Sequence, residues 1–164
     1  MSSPQLSGTI AQYTGRTVDY LAFDNAKAVG DTQLTQTLVQ AGQSGALITG
    51  IEKLVQRFLI ELLTEKGSLD YDLARGTFFI TQIRAGLLRT SQDLFAAFSS
   101  AEVDLRNNLQ LEEDITVDPA DECYRSATLI AASLFGDMAT LTFRVLSMAD
   151  EDRTVIYPLR VSIN

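Results

Sequence analysis

The most regular hydrophobic pattern in the chain lies in residues 46–66, where apolar side chains recur at every third or fourth position. This spacing places one broad apolar stripe along a helix. The stripe is formed by Leu47, Ile51, Leu54, Val55, Phe58, Leu62 and Leu63. Gly67 follows the pattern, and glycine commonly closes helices because it adopts left-handed backbone angles without a steric penalty. We therefore expect an amphipathic helix over 46–66 that ends at Gly67.

Two further apolar segments follow Gly76. Residues 78–88 are apolar enough for a second helix or another buried segment, which Gly86 interrupts. Ser91 is expected to cap the next helix, because a serine side chain accepts a hydrogen bond from the first helical turn. That helix is expected to reach about Leu109, and its apolar positions are Leu94, Phe95, Phe98, Leu105 and Leu109.

The hydrophobic period changes to two beyond the acidic segment 112–122. Alternation of this kind predicts half-buried strands, and the pair Gly136-Asp137 between two alternating runs predicts a hairpin. A polar turn at 149–153 leads into a third strand. The apolar residues that share a face are Ala127, Leu129 and Ala131 in the first strand, Leu141, Phe143 and Val145 in the second, and Val155, Tyr157, Leu159, Val161 and Ile163 in the third. Together they predict a three-stranded antiparallel meander.

Pro158 interrupts the third strand. Proline cannot donate to a sheet ladder, so 154–163 is either an edge strand with the proline nitrogen facing outward or a strand that bulges at Pro158. A small sheet has edges whose free N–H and C=O groups accept a strand from another chain. The meander is therefore a candidate binding element, and a sheet whose edges are protected by helices is the alternative.

Helices followed by strands are typical of an α+β fold rather than of alternating β-α-β units. We expect one such domain over 46–164, preceded by an N-terminal arm or linker at 1–45. Within the arm, 17–23 resembles a short strand or extended arm, 32–40 has a weak helical spacing, and 41–45 is a glycine-rich linker.

The composition excludes much of enzyme chemistry. The chain of 164 residues contains no histidine, so it lacks the usual general base, the usual partner of a nucleophilic serine or cysteine, and the commonest zinc ligand. A single cysteine, Cys123, cannot form an internal disulfide. A net charge of −8 is the wrong sign for a nucleic-acid partner. We also expect no metal, no cofactor, no signal peptide and no membrane span.

Several carboxylates remain as candidate sites. Glu61, Glu65, Asp70 and Asp72 lie close in sequence, and a pair of carboxylates serves a glycosidase as acid and base. A solvated helix face and turn explains the same residues. The acidic segment 112–122 similarly indicates either a calcium site or, more simply, a solvated linker or a patch that faces a basic partner.

Residues 62–67, Leu-Leu-Thr-Glu-Lys-Gly, and the sequence Gly-Thr-Phe-Phe that starts at Gly76 resemble the signature of the wedge protein family of contractile phage tail baseplates. The layout is also similar, with an amphipathic helix, a turn, further helices and a C-terminal antiparallel sheet across most of 46–163. Asp72-Leu73-Ala74 stands where that family has a Glu-Pro-Arg element. Members of the family also occur in type VI secretion and related injection systems, and some have been described as lysozyme-like.

The resemblance implies a structural adaptor without catalysis, present in several copies in the virion baseplate and in the host cytoplasm during assembly. Its implied partners are the tail sheath protein and other baseplate wedge and hub proteins, with sheath strands adding to the sheet. Asp72 and Arg75 are expected to form an ion pair or to dock a wedge neighbour. The residues expected at partner contacts are Gly67, Asp72, Arg75, Gly76, Leu141, Phe143, Val155, Tyr157 and Leu159.

Two other functions stay open at this point. One is a peptidoglycan hydrolase of the baseplate, with its acid and base among the four carboxylates named above. The other is a small module that binds through its sheet edge and has no relation to phage tails. A hydrolase clears cell walls, an adaptor co-purifies with sheath or wedge proteins, and an unrelated module does neither.

Overall fold

The computed structural model describes residues 16–20 and 47–160. Two short strands come first, β1 (Asp19–Tyr20) and β2 (Leu47–Ile48). Three helices follow, α1 (Gly50–Leu63), α2 (Phe79–Arg84) and α3 (Ser91–Glu112). Three long strands complete the described chain, β3 (Tyr124–Phe135), β4 (Met138–Ser147) and β5 (Asp152–Arg160). The predicted α+β fold is confirmed.

The long strands form one antiparallel sheet in the order β3-β4-β5, so β4 is central and the other two strands are its edges. Helices α1 and α3 cover one face of this sheet, and the core lies between them. Phe58 of α1 lies at the centre, with its ring centroid 5.5 Å from that of Phe143 and 6.4 Å from that of Phe98. Edge-to-face contacts such as these favour a single packing arrangement of helices on sheet.

Helix α1 is shorter than predicted at both ends. Gly50 has a φ of +61° and separates the helix from β2, so Leu47 lies in a strand and is exposed instead of joining the helical stripe. At the other end, Glu65 already pairs with Thr77 in a parallel bridge. Gly67 therefore lies in a turn beyond the helix. The rest of the predicted stripe is buried or packs against the core, apart from Leu63, which is half-buried.

Helix α3 is capped by Thr90, one residue before the predicted Ser91. The Thr90 hydroxyl accepts a hydrogen bond from the backbone N–H of Asp93 at 3.1 Å, and the Asp93 carboxylate accepts one from the Thr90 N–H at 2.9 Å. This reciprocal pair is a capping box. The helix continues to Glu112, three residues beyond the predicted end.

The cap leads to a prediction for stability. Thr90→Ala is expected to lower the free energy of unfolding by about 1 kcal/mol, because a backbone N–H of the first turn loses its acceptor. Ser99→Ala, an exposed position in the same helix, is the matched control and is expected to lose nothing, since alanine favours helix. Urea denaturation of both variants measures the difference, and equal stabilities would contradict the cap.

Strand β3 contains a bulge at Ile130. The register with β4 shifts between Leu129 and Ala131, which leaves Ile130 as the extra residue. A bulge of one residue exchanges the faces of all residues that follow it. Ala131 is therefore exposed and Ala132 packs against the core, so the prediction that Ala131 shares a face with Leu129 is wrong.

Pro158 lies within a regular ladder. β5 pairs with β4 from Asp152 to Arg160 without a register shift, and Pro158 stands opposite Thr140. Of the two arrangements expected for this proline, the edge strand is present and the bulge is not. Val161 and Ile163 lie outside the described residues.

The described part of the N-terminal arm is held against the domain by Glu122, which is buried. Its carboxylate accepts hydrogen bonds from the backbone N–H of Gly50 at 3.1 Å and from the hydroxyl of Thr17 at 2.5 Å, and the Lys53 ammonium lies 3.3 Å away. The Gly50 N–H is at the start of α1, where the helix dipole favours negative charge. Glu122 thus joins the arm, α1 and the segment before β3.

The predicted strand in 17–23 is confirmed where it is described, since β1 lies within it and pairs with β2. The remainder of that segment lies outside the described residues, as do the weak helix expected at 32–40 and the linker expected at 41–45. No helix among the residues described is both long and apolar enough to cross a membrane.

Candidate functional site

Glu61 is the centre of the region that carries the family-like motif. It lies on α1 and its residue surface is only 1% exposed. One carboxylate oxygen accepts hydrogen bonds from the backbone N–H of Gly76 and from the Asn108 amide, both at 2.7 Å. The other lies 2.9 Å from the Arg75 guanidinium. Glu61 therefore fixes the loop between α1 and α2 against α3.

Arg75 connects this carboxylate to the end of α3, because its guanidinium also pairs with Glu112. Glu112 in turn lies 3.7 Å from the guanidinium of Arg57 on α1. Burial of Arg75 opposes its charge, but Glu61 and Glu112 outweigh that effect and raise the pKa of Arg75 above its ordinary value. These four residues form a row of alternating charge that joins α1, the loop and α3.

Glu113 extends the row from the end of α3 to the start of β3. Its carboxylate accepts the backbone N–H of Tyr124 at 2.8 and 2.9 Å and lies 3.1 Å from the Arg57 guanidinium. Burial raises the pKa of Glu113 above its ordinary value, although Tyr124 and Arg57 act in the opposite direction. The contacts place this residue in a structural role between helix and sheet.

The expected ion pair between Asp72 and Arg75 is not among the contacts of the described residues, and this expectation is corrected. Arg75 instead reaches the buried Glu61, whose negative charge has little water around it and attracts the guanidinium more strongly. Asp72 accepts the backbone N–H of Ala74 at 3.1 Å, an arrangement that stabilises a turn locally. Removal of Arg75 would therefore disturb the fold as well as any surface contact.

The two motif glycines have different structural roles, although both have a φ of +82°. A Cβ at Gly76 would lie 2.4 Å from the carbonyl oxygen of Thr64, whereas a Cβ at Gly67 would have no atom within 4 Å. The close approach at Gly76 allows the N–H of Thr77 to donate to the Thr64 carbonyl at 2.9 Å. At position 76 both the packing of the loop and the backbone conformation require glycine. At position 67 only the backbone conformation requires it.

The carboxylates considered as acid and base take up separate positions. Glu61 has both oxygens engaged by groups of the protein, and Glu65 accepts a hydrogen bond from Thr81 at 3.1 Å. Asp70 is exposed and Asp72 belongs to the turn described above. Glu61, Glu65 and Asp72 thus have local structural contacts in and beside the loop.

The acidic segment 112–122 forms an ordered turn. The carboxylate of Asp118 accepts the Asp114 N–H at 2.8 Å, and that of Asp114 accepts the Thr116 N–H at 3.0 Å. In the described ranges 16–20 and 47–160, no three acidic, cysteine or histidine side chains are grouped as a metal site requires. Asp114 and Asp118 therefore hold a turn, whereas the side chains of Glu113 and Glu122 in the same segment are buried and pair with Arg57 and Lys53, so the segment is not a uniformly solvated linker.

The two edges of the large sheet differ. Helix α3 lies along β3, and its side chains contact the β3 backbone at both ends. Ser91 donates to the carbonyl of Ala132 at 2.9 Å, and Gln110 donates to the carbonyl of Tyr124 at 3.0 Å. Helix α1 also contacts β5, and Glu52 of α1 lies 3.0 Å from the Arg153 guanidinium, but no described side chain hydrogen-bonds to the outward backbone groups of β5. In the described chain, β5 is therefore the edge that can receive another strand.

The direction of each backbone group in β5 follows from the hairpin that precedes it. The N–H of Ser147 donates to the carbonyl of Glu151 at 2.9 Å, which identifies these residues as a hydrogen-bonded pair. Such pairs alternate along an antiparallel ladder, so every second residue of β5 turns its N–H and C=O groups away from β4. With the continuous β4–β5 register, the outward row is Asp152, Thr154, Ile156, Pro158 and Arg160.

The partner residues expected on the sheet are corrected by this geometry. Leu141 and Phe143 lie on the central strand, which already has a partner strand on each side, and their side chains are buried. Val155 is also buried. Tyr157 and Leu159 are partly buried on the helix-covered face of β5, at the edge of the sheet, where side chains of an added strand could reach them. Of the expected sheet contacts, only these two remain accessible.

The residues that can bond to an added strand are the alternate ones, whose N–H and C=O groups face outward, above all Thr154 and Ile156. They were not singled out because they are not part of the apolar alternation. The signal that identifies them is Pro158, since a proline in an edge strand has its nitrogen facing outward and residues two and four positions earlier share that direction.

Comparison with family models, with curated proteins and with solved structures found no match for this chain. The resemblance to the baseplate wedge family stays a prediction that depends on residues 62–67 and 76–79 and on the order of helices and strands.

Proposed function

We propose that the chain is a structural adaptor in the baseplate of a contractile tail, connecting the wedge and hub to the first sheath ring. The single observation that carries the proposal is the β5 edge, whose outward backbone groups have no hydrogen-bond partner among the described residues, while α3 side chains bond to the backbone of the opposite edge. A sheath strand that adds to β5 satisfies the outward N–H and C=O groups, and its alternate side chains contact Tyr157.

A second surface supports the wedge side of the proposal. Tyr71 and Leu73, in the loop between the motif glycines, are 85% and 65% exposed, and Leu111 near the end of α3 is 87% exposed. The loop lies against this end of α3, because Asn108 donates to the carbonyl of Ala74 at 3.2 Å. Neighbouring exposed apolar side chains mark interaction sites, so we assign helix packing by wedge or hub proteins to this surface.

The adaptor acts without catalysis and without a cofactor. The buried contacts of Glu61 support this part of the proposal, because they give the best-placed carboxylate a role in holding a loop. No contact among residues 47–160 favours the hydrolase alternative. The net charge of −8 favours basic partner surfaces, which it attracts at long range. The adaptor is present in several copies in the virion baseplate and, during assembly, in the host cytoplasm.

Mass spectrometry and antibody labelling of purified contractile particles in the electron microscope test the proposed place in the particle. The expected result is a peptide signal from intact particles and label confined to the baseplate end of the tail. Absence of the chain from intact particles would contradict the proposal. In parallel, the free protein is expected to leave purified peptidoglycan intact, and clearing of peptidoglycan by the folded protein would favour the hydrolase.

The edge itself is tested by Ile156→Pro. This change removes an outward N–H and leaves the β4–β5 ladder intact, so the variant is expected to fold and to lose most of its co-sedimentation with sheath protein. Thr128→Ala, on an exposed position of the helix-covered edge strand β3, is the control and is expected to bind as the parent does. Equal binding by both variants would assign the sheath contact to another surface.

A further inference from the structure

Pro158 stands in the outward row of β5 and not in the row that pairs with β4. Because it lacks an N–H, its position there removes nothing from the β4–β5 ladder, which continues on both sides of it. What it removes is a donor on the outer edge. The proline therefore affects only a strand that would add to β5 from outside.

A strand added along the whole of β5 would meet this proline directly. Adjacent strands lie about 4.8 Å apart, and the proline ring occupies the place where the amide hydrogen would point. The added strand would be left with an unpaired carbonyl and would be pushed away from the sheet. In front of the proline, Asp152, Thr154 and Ile156 form an uninterrupted outward row.

We propose that Pro158 limits the β5 edge to a short receiving segment, residues 152–156, which takes an extended segment of a different protein and disfavours a second copy of this chain. Open edges of several residues invite pairing between identical chains, and prolines on edge strands prevent it. A second copy would bring the same proline and the same net charge of −8. This inference rests on the proposed role of β5 as the receiving edge.

The occupant has a defined chemistry. Its residues on the core side lie beside Tyr157, so apolar side chains fit there, and on the other face they lie beside Thr154 and Ile156, where β-branched side chains fit. The chain's negative charge favours a basic residue in or beside the segment.

Amide hydrogen exchange of the free full-length protein, followed by NMR, tests the geometry. The amides of Thr154 and Ile156 are expected to exchange at least tenfold faster than those of Val155 and Tyr157, because only the latter two donate to β4. Equal protection of all four amides would show that the outer edge of β5 is already covered and would overturn the inference.

Pro158→Thr tests the role of the proline. The variant restores an outward donor and is expected to self-associate at least tenfold more tightly than the parent in sedimentation equilibrium. Adding Ile156→Pro to this variant places a proline two residues earlier among the outward-facing residues of β5. The double variant is expected to self-associate as weakly as the parent. Self-association of Pro158→Thr no stronger than that of the parent, with circular dichroism confirming that it folds, would overturn the inference.

These measurements use the isolated chain, so they are independent of where it is found in the cell. If the exchange and association results are as expected but the chain is absent from contractile particles, the proposed function is wrong, while the inference that Pro158 limits strand addition to residues 152–156 is supported. If the chain is present in particles but Pro158→Thr does not self-associate, only the inference about Pro158 is wrong and the proposed function is unaffected.

Discussion

Gly76→Ala is expected to lower the free energy of unfolding by about 3 kcal/mol or more. The left-handed backbone angles of Gly76 account for about 1 to 2 kcal/mol of this loss. The remainder arises because the new Cβ would lie 2.4 Å from the Thr64 carbonyl oxygen, and that oxygen belongs to the backbone and accepts the Thr77 N–H. The loop must move, and the contact of Glu61 with the Gly76 N–H is weakened with it.

Gly67→Ala is the matched control. The backbone angle is the same, φ +82°, but the position is open, so only the conformational loss of about 1 to 2 kcal/mol is expected. Urea denaturation of the two variants separates the effects. A loss at Gly76 no larger than that at Gly67 would show that the close approach between the two parts of the loop has no energetic weight.

Glu61→Ala is expected to lower the free energy of unfolding by about 3 to 5 kcal/mol, the range found when one partner of a buried charged pair is removed. The variant leaves the Gly76 N–H, the Asn108 amide and the Arg75 guanidinium without their acceptor. Thermal or urea denaturation measures the loss, and circular dichroism shows whether the variant still folds.

Glu65→Ala, four residues further along the chain and beyond the end of α1, provides the comparison. Its carboxylate is 42% exposed and lies 3.5 Å from the exposed guanidinium of Arg84, so a loss of at most about 1 kcal/mol is expected. Similar small losses in both variants would contradict the role of Glu61 as the residue that fixes the loop.

The fold could be predicted from the sequence where the pattern is local. The helical spacing of Leu54, Phe58 and Leu62 identifies the buried face of α1, and the alternation of Leu141, Phe143 and Val145 identifies the central strand. The bulge at Ile130 could not be predicted, because one extra residue in β3 depends on pairing with a strand about 12 residues later in the chain, and alternation along one strand does not report it.

The candidate site was less predictable for the same reason. Glu61 meets Asn108 and Arg75 only because α1, the loop and α3 pack together, and the spacing of charges along the chain does not reveal that contact. Arg75 was expected to pair with its near neighbour Asp72 and instead reaches a buried carboxylate on another element. The β5 edge was foreseen as one of two options through Pro158, but the choice between edges required the contacts of α3 with β3.

Electron cryo-microscopy of the baseplate in purified contractile particles, at a resolution that traces individual strands, shows directly whether β5 receives a sheath strand. A fourth strand, from the sheath protein, is expected to pair with the outward groups of residues 152–156 and to end at Pro158. A reconstruction that contains the chain with this edge of β5 facing solvent, or with the sheath bound to another surface, would contradict the proposed role of β5.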